Sequence, residues 1–194
     1  MRALFLFALL LVAAPARAQE SYYNPHWYMG LSGGGTTMKV INQDTGEKRT
    51  TTESSAALIM GGWIDRDTAF EMQVRFLGDP DVGTVVDNQG YVVRATREVS
   101  DLTLGILHRV RLDRRTSLYG KADLIFWSAS GRYGYSDDDY YDDPDKKTGV
   151  GFGGEVGILF RITPRWQARV GVGATTKILD APSMQWQAGL VYTF

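Results

Sequence analysis

A chain of 194 residues with 22 glycines, 12% aromatic side chains and no cysteine has room for one ordinary domain and no disulfide to staple it. Its formal net charge is −1, or −3 once Arg2 and Arg17 are set aside with the leader described next, which excludes the strongly basic surface that nucleic acid recruits. Stability must come from packing or from backbone pairing.

Met1 and Arg2 make a basic start, Leu4 to Ala14 an apolar run, and Ala16-Arg17-Ala18 a small-x-small cleavage motif. This pattern predicts a secretory signal peptide over 1–18, too short for a transmembrane helix, which needs about 20 apolar residues. The expected mature domain is 19–194.

Beyond it no long apolar run occurs, and strand-length windows alternate with period two. Residues 27–38 set Trp27, Met29 and Leu31 against Tyr28, Gly30 and Ser32. Residues 54–64 are ambiguous in phase and are read with Ala57, Ile59, Gly61 and Trp63 outward. Residues 69–76 oppose Phe70, Met72, Val74 and Phe76 to Ala69, Glu71, Gln73 and Arg75. Residues 92–112 gather Leu102, Leu104, Ile106, Val110 and Leu112 on one face. Upstream of Ser100 the phase breaks, with Val93, Ala95 and Val99 at odd positions, which predicts a strand running past the bilayer or a bulge. Residues 118–127 oppose Leu118, Leu124 and Phe126 to Tyr119, Lys121, Asp123 and Trp127. Residues 150–162 set Val150, Phe152, Val156, Ile158 and Phe160 against Glu155 and Arg161. Residues 166–174 set Trp166, Val170 and Val172 against Gln167 and Arg169, and 184–194 set Met184, Trp186, Leu190, Tyr192 and Phe194 against Gln185, Gln187 and Thr193.

In each clear window one face carries no charge, over segments of about ten residues, the dyad repeat of a transmembrane barrel. The expected fold is all-β, an eight-stranded antiparallel up-and-down β-barrel. Short connections (65–68, 113–116, 163–165) alternate with long polar ones (40–51, 77–91, 128–149, 176–183), as periplasmic turns alternate with extracellular loops. A soluble lipocalin-like barrel also alternates, with its charged face outside. Against it stand the aromatic residues near strand ends, Trp27, Tyr28, Trp63, Trp127, Trp166, Tyr192 and Phe194, read as interfacial girdles. A charged face rich in glycine, mixing acids with bases, also suits a narrow interior.

Gly61-Gly62-Trp63 leading to Phe70-Glu71-Met72, Leu118-Tyr119-Gly120-Lys121 leading to Trp127, Ile162-Thr163-Pro164 followed by Arg169, and the ending Gly189 to Phe194 resemble the OmpA/OmpX-like superfamily of outer-membrane β-barrels, in particular the OmpA-type transmembrane domain. The resemblance spans the mature chain in architecture. It implies a Gram-negative outer-membrane location, contact with outer-membrane lipids and lipopolysaccharide, and delivery to the barrel-assembly machinery, with Tyr192 and Phe194 in the assembly signal. It also implies a lumenal charge cluster containing Glu71 and Arg169. The family's other lumenal acid, near the sixth strand, has no direct match: Leu159 stands there, and Glu155 lies four residues earlier on the same face. The family's peptidoglycan-binding domain has no counterpart here.

An eight-stranded barrel is just wide enough inside for side chains to fill it. Glu71, Arg75, Lys121, Asp123, Glu155 and Arg169 are therefore expected to form a lumenal charge network, because buried charges must pair. Asp137, Asp138, Asp139, Asp142, Asp143 and Asp145 could offer carboxylates to a weak Ca²⁺ or Mg²⁺ site bridging lipopolysaccharide phosphates. They lack the glycine turn and closing Glu of an EF-hand, so a solvated loop is the plainer expectation, with no metal site and no cofactor. Arg109, Arg111, Arg114 and Arg115 make a basic periplasmic end, in reach of headgroup phosphates or snorkelling to the interface. Gly33-Gly34-Gly35 lies in a strand without a following helix and is no phosphate loop.

No catalytic residue is expected. His26 and His108, placed at periplasmic strand ends, lie far from Ser128, Ser130 and Ser183, and a Ser–His–acid arrangement needs hydrogen-bond contact. The leading reading is a structural and surface-display protein of the outer membrane. A narrow porin-like channel and a lipid A-modifying enzyme are the alternatives, and the loop ligand is left open.

Overall fold

The computed structural model describes residues 26–41, 48–86, 92–134, 140–142, 146–178 and 181–194. The expected signal peptide lies outside these residues. The strands are β1 (Trp27–Ile41), β2 (Lys48–Trp63), β3 (Thr68–Phe76), β4 (Asp81–Val86), β5 (Val92–Arg111), β6 (Thr116–Gly134), β7 (Tyr140–Asp142), β8 (Lys147–Arg161), β9 (Trp166–Ile178) and β10 (Ala181–Thr193). All pairings are antiparallel, and β1 pairs with β10 from Tyr28 opposite Thr193 to Thr37 opposite Met184. This closes a barrel of eight walls, β1, β2, β3, β5, β6, β8, β9 and β10, with β4 and β7 as short additions at the far ends of β5 and β6. Closure pairs the first wall with the last, as an apolar environment demands of a spanning sheet.

The three short turns share one device. Asp65 Oδ1 accepts the backbone N–H of Asp67 at 2.8 Å and of Thr68 at 2.7 Å. Asp113 Oδ1 accepts those of Arg115 and Thr116 at 2.6 and 2.8 Å. Thr163 Oγ1 accepts those of Arg165 and Trp166 at 3.3 and 3.0 Å. Each side chain closes the turn on its own backbone, which is why Asp and Thr stand there. The two N–H donors hold the Asp113 carboxyl below its ordinary value. The opposite ends are longer hairpins than the sequence suggests, because strand pairing runs on into the expected loops: β1 and β2 stay paired as far as Ile41 opposite Lys48.

One wall is interrupted. Between β3 and β4 the chain leaves the ladder at Leu77–Pro80 with Gly78 at φ 99°, where a Cβ would strike Glu53. Pairing with β5 survives: Leu77 N–H donates to Val99 O at 2.8 Å, and Val99 and Arg97 N–H donate to Gly78 and Pro80 O at 3.0 Å each. The bulge therefore falls on this wall. β5 keeps one phase throughout, with Ala95, Val99, Asp101, Thr103 and Leu107 all buried inward. Of the two alternatives expected upstream of Ser100 the long strand holds on β5 itself, which runs 20 residues and pairs with β6 without a register shift from Arg94 to Arg111.

The phase expected for 54–64 is reversed. Ala57, Ile59, Gly61 and Trp63 face the lumen, and Leu58, Met60 and Ile64 are exposed outward. Residues directly opposite each other share a face. Gly61 lies opposite Glu71 and Ala57 opposite Arg75, so the charged face of β3 fixes the phase of β2. The girdle also needs correction: Tyr28, Trp63 and Trp127 are buried inside the barrel. Trp27, Trp166 and Phe194 are exposed at the short-turn end, where Tyr192 packs its ring 5.0 Å from Trp166 and 5.4 Å from Phe194.

The outer face is apolar from wall to wall: Leu31 is 67%, Val74 51%, Phe152 65% and Val170 59% exposed. An apolar belt of this extent is an interaction surface, and on a closed barrel its natural solvent is lipid.

Candidate functional site

The lumen is layered. Nearest the short turns Tyr28, Ile59, Trp63, Leu107, Leu159 and Val191 pack as one apolar cluster. Toward the long hairpins Met38, Leu77, Val99, Trp127, Ala129 and Ile178 form another. The charged residues lie between them. Along β5 the order is Leu107, Thr103, Asp101, Val99; along β6 it is Tyr119, Lys121, Asp123, Ile125, Trp127.

All six residues of the expected charge network are buried in this middle layer. Glu71 Oε2 accepts Arg169 Nη1 at 2.7 Å and the Tyr28 hydroxyl at 2.9 Å, while Oε1 accepts Gln73 Nε2 at 2.8 Å and Lys121 Nζ at 3.1 Å. Glu155 Oε1 accepts Arg169 Nη2 at 3.1 Å and the Tyr119 hydroxyl, and its Oε2 accepts Gln187 Nε2 at 2.7 Å. Lys121 Nζ also lies 3.3 Å from Asp123 Oδ1 and 3.5 Å from Glu155 Oε2. Arg169 donates from Nε to the Tyr119 hydroxyl at 2.9 Å, with its guanidinium 4.6 Å from that ring's centroid. Glu155 thus partners Arg169 although Leu159 is the residue directly opposite it. Gly171 makes the contact possible, since a Cβ there would overlap both the Tyr119 hydroxyl and the Glu155 carboxylate.

Arg75 stands slightly apart. Its Nε and Nη2 grip Asp101 Oδ1 and Oδ2 at 2.7 and 2.6 Å, a bidentate fork, and Nη1 reaches Gln185 Oε1 at 2.5 Å. Asp101 and the polar partners Tyr28, Gln73, Tyr119, Gln185 and Gln187 are absent from the sequence-derived set. The β5 alternation could have supplied Asp101, because it stands out of phase with Leu102, Leu104 and Ile106. With it the layer holds four carboxylates, Glu71, Asp101, Asp123 and Glu155, against the three cations Arg75, Lys121 and Arg169.

At the short-turn mouth Arg109 and Arg111 turn over the lumen, not toward the lipid side. The Arg109 guanidinium sits 3.8 Å above the Trp63 ring, and both donate to the Arg66 carbonyl, at 2.8 and 3.1 Å. Arg114 and Arg115 line the same opening. His108 Nδ1 shares a hydrogen bond with Thr68 Oγ1 at 3.1 Å near this end, whereas Ser183 lies buried toward the other, its hydroxyl 2.7 Å from that of Thr175. Of the acidic stretch, Asp137, Asp138, Asp139, Asp143 and Asp145 lie outside the described residues, and of Asp142 only the strand position is described. Among the described residues no group of three or more His, Cys, Asp or Glu could hold a metal ion.

A closed eight-walled sheet with an apolar exterior and an ionic, side-chain-filled interior defines a small transmembrane β-barrel. Residues 5–194 match the model of the outer membrane protein beta-barrel domain family, and the chain belongs to that family. Among solved structures it is similar to Neisserial surface protein A, with a TM-score of 0.62 at 11% identity over 89% of this chain and 100% of that one. The outer membrane protein OprG of Pseudomonas aeruginosa gives 0.54 at 11% identity, covering 87% and 96%. The attachment invasion locus protein Ail of Yersinia pestis, solved with the heparin analogue sucrose octasulfate, gives 0.52 at 15%, covering 87% and 99%. Comparison with curated protein sequences returns no match.

Proposed function

We propose that this protein is a closed structural barrel of the Gram-negative outer membrane, exported by the leader at 1–18, that stabilises the membrane and displays its long hairpins at the cell surface. The observation that carries the reading is the layered lumen. Among the described residues a salt-bridged layer lies between two apolar clusters, and two cavities beside it hold only about 10 Å³ each, room for a single water, which supports a closed lumen. The charge layer acts as a plug that also fixes strand register, since Glu71, Asp101 and Glu155 each take hydrogen bonds from residues on other walls. Short turns inside the periplasm and long hairpins outside follow the usual orientation of such barrels. Outer-membrane lipids and lipopolysaccharide then meet the apolar belt, and the assembly machinery reads the last strand, where Phe194 N–H donates to Trp27 O at 2.9 Å across the closing seam.

The relatives support display: one is called a surface protein, another an attachment invasion protein. Nothing in the placement of His26, His108 and Ser183 favours lipid modification.

Single-channel recording in planar bilayers tests the plug. The wild-type protein is expected to give no discrete conductance steps. Steps that change in Glu71→Ala would establish the narrow channel instead.

A further inference from the structure

The mouth at the short turns holds a cavity of about 270 Å³, far larger than the two small voids beside the charge layer, and its lining includes Arg109, Arg111, Arg114, Arg115, Arg161 and Asp113. Arg109 and Arg111 on β5 and Arg161 on β8 occupy inward positions, so their guanidinium groups converge over the lumen and not on the lipid-facing side. Arg161 enters this cluster through the β6–β8 pairing, which brings it beside the turn that carries Arg115, whose carbonyl accepts the Arg161 N–H at 2.7 Å.

The acids nearby are committed elsewhere. Asp113 Oδ1 holds its turn. Asp67 is shared between Arg111 at 3.1 Å and Arg109 at 3.5 Å. Among the described residues Arg114, Arg115 and Arg161 have no carboxylate partner. The positive charges of Arg111 and Arg161 both act on Arg109. Asp67 offsets only part of the charge of Arg109 and Arg111, so the three guanidinium groups of Arg114, Arg115 and Arg161 leave the opening positive, and their planar forks match an oxyanion. The cavity lies just below the range of drug-sized ligand sites, which begins at about 300 Å³, so it suits a compact ion.

We propose that the short-turn mouth is a binding site for a small, multiply charged, phosphate-type oxyanion dissolved in the compartment this end faces. The site is independent of whether the lumen conducts and of which way the barrel is inserted.

Calorimetry with inorganic pyrophosphate at low ionic strength tests it, using the protein in phosphate-free maltoside micelles and in phosphatidylcholine nanodiscs. One ion per barrel is expected in both, with affinity falling as salt is added. Arg161→Gln should weaken binding about tenfold, the loss of a charge-assisted hydrogen bond. Lys48→Gln removes the same charge at the other end of the barrel and should leave binding unchanged. Absence of binding, or equal weakening by both substitutions, would overturn the site. Binding in micelles that vanishes in nanodiscs would also overturn it, by assigning the arginines to lipid headgroup phosphates.

Discussion

Two regions of this barrel are crowded with charge at inward positions, yet they behave as opposites. In the middle of the lumen acids and bases nearly balance, every charged side chain is buried, and a hydroxyl or amide from the same strand or from a wall further round fills most of the remaining bonds. At the short-turn mouth arginines outnumber acids, Arg111 and Asp67 keep side-chain exposures of 35% and 39%, and a cavity remains. Inward phase alone does not decide what a charged residue does. The difference comes from desolvation: where apolar clusters exclude water on both sides, an unmatched charge cannot be tolerated, and where water enters, it can.

The comparison predicts its largest effect at Glu71. The alanine variant strips acceptors from Tyr28, Gln73, Lys121 and Arg169 together. Removing one partner of a buried pair costs about 3–5 kcal/mol, because the cations left behind stay in a dry layer. Reversible urea unfolding from phospholipid vesicles is the measurement. A loss below 1 kcal/mol would show that water reaches the middle layer, and the contrast with the mouth would disappear.

The next effect lies on the other side of the wall. Val156 is an outward residue of β8, flanked outward by Ile158 and Phe160 and backed inward by Glu155. Val156→Arg should cost about 2–4 kcal/mol in the same unfolding measurement if it meets lipid at mid-depth. A neutral result would mean that the outer face is wet, and that the sequestered layer inside is no drier than the surface.

How much of this was legible in the residues follows from what alternation can and cannot carry. Where one face holds charge and the other holds none, as in β3, β6, β8 and β9, phase could be assigned strand by strand. β2 lacks charge between Ser54 and Ile64, so its two faces look alike, and only the register against Glu71 and Arg75 separates them. The same limit misplaced Tyr28, Trp63 and Trp127: an aromatic near a strand end fits a girdle or an apolar seal, and the side it faces is a property of the closed sheet. The six lumenal charges could be named because each stands out of phase with its apolar neighbours. Their partners could not, because Tyr119 and Gln187 come to Glu155 from different walls. Arg161 at the mouth was hidden for the same reason, since nothing in its own strand connects it to Arg109.

The smallest effect bears most directly on the comparison. Arg111→Gln removes an ion pair of 3.1 Å with Asp67, a separation close to the 3.1 Å between Lys121 and Glu71 in the middle layer. Distance alone would rank the two pairs together. The mouth pair is more than a third exposed, so solvent screens it, and such pairs contribute about 0.2–1 kcal/mol. The substitution also relieves repulsion from Arg109, which offsets part of that loss. Urea unfolding of Arg111→Gln should therefore stay within about 0.5 kcal/mol of wild type, the range of surface substitutions. A cost near that of Glu71→Ala would mean that the mouth closes over its arginines in the membrane and that the two charged regions form one continuous core.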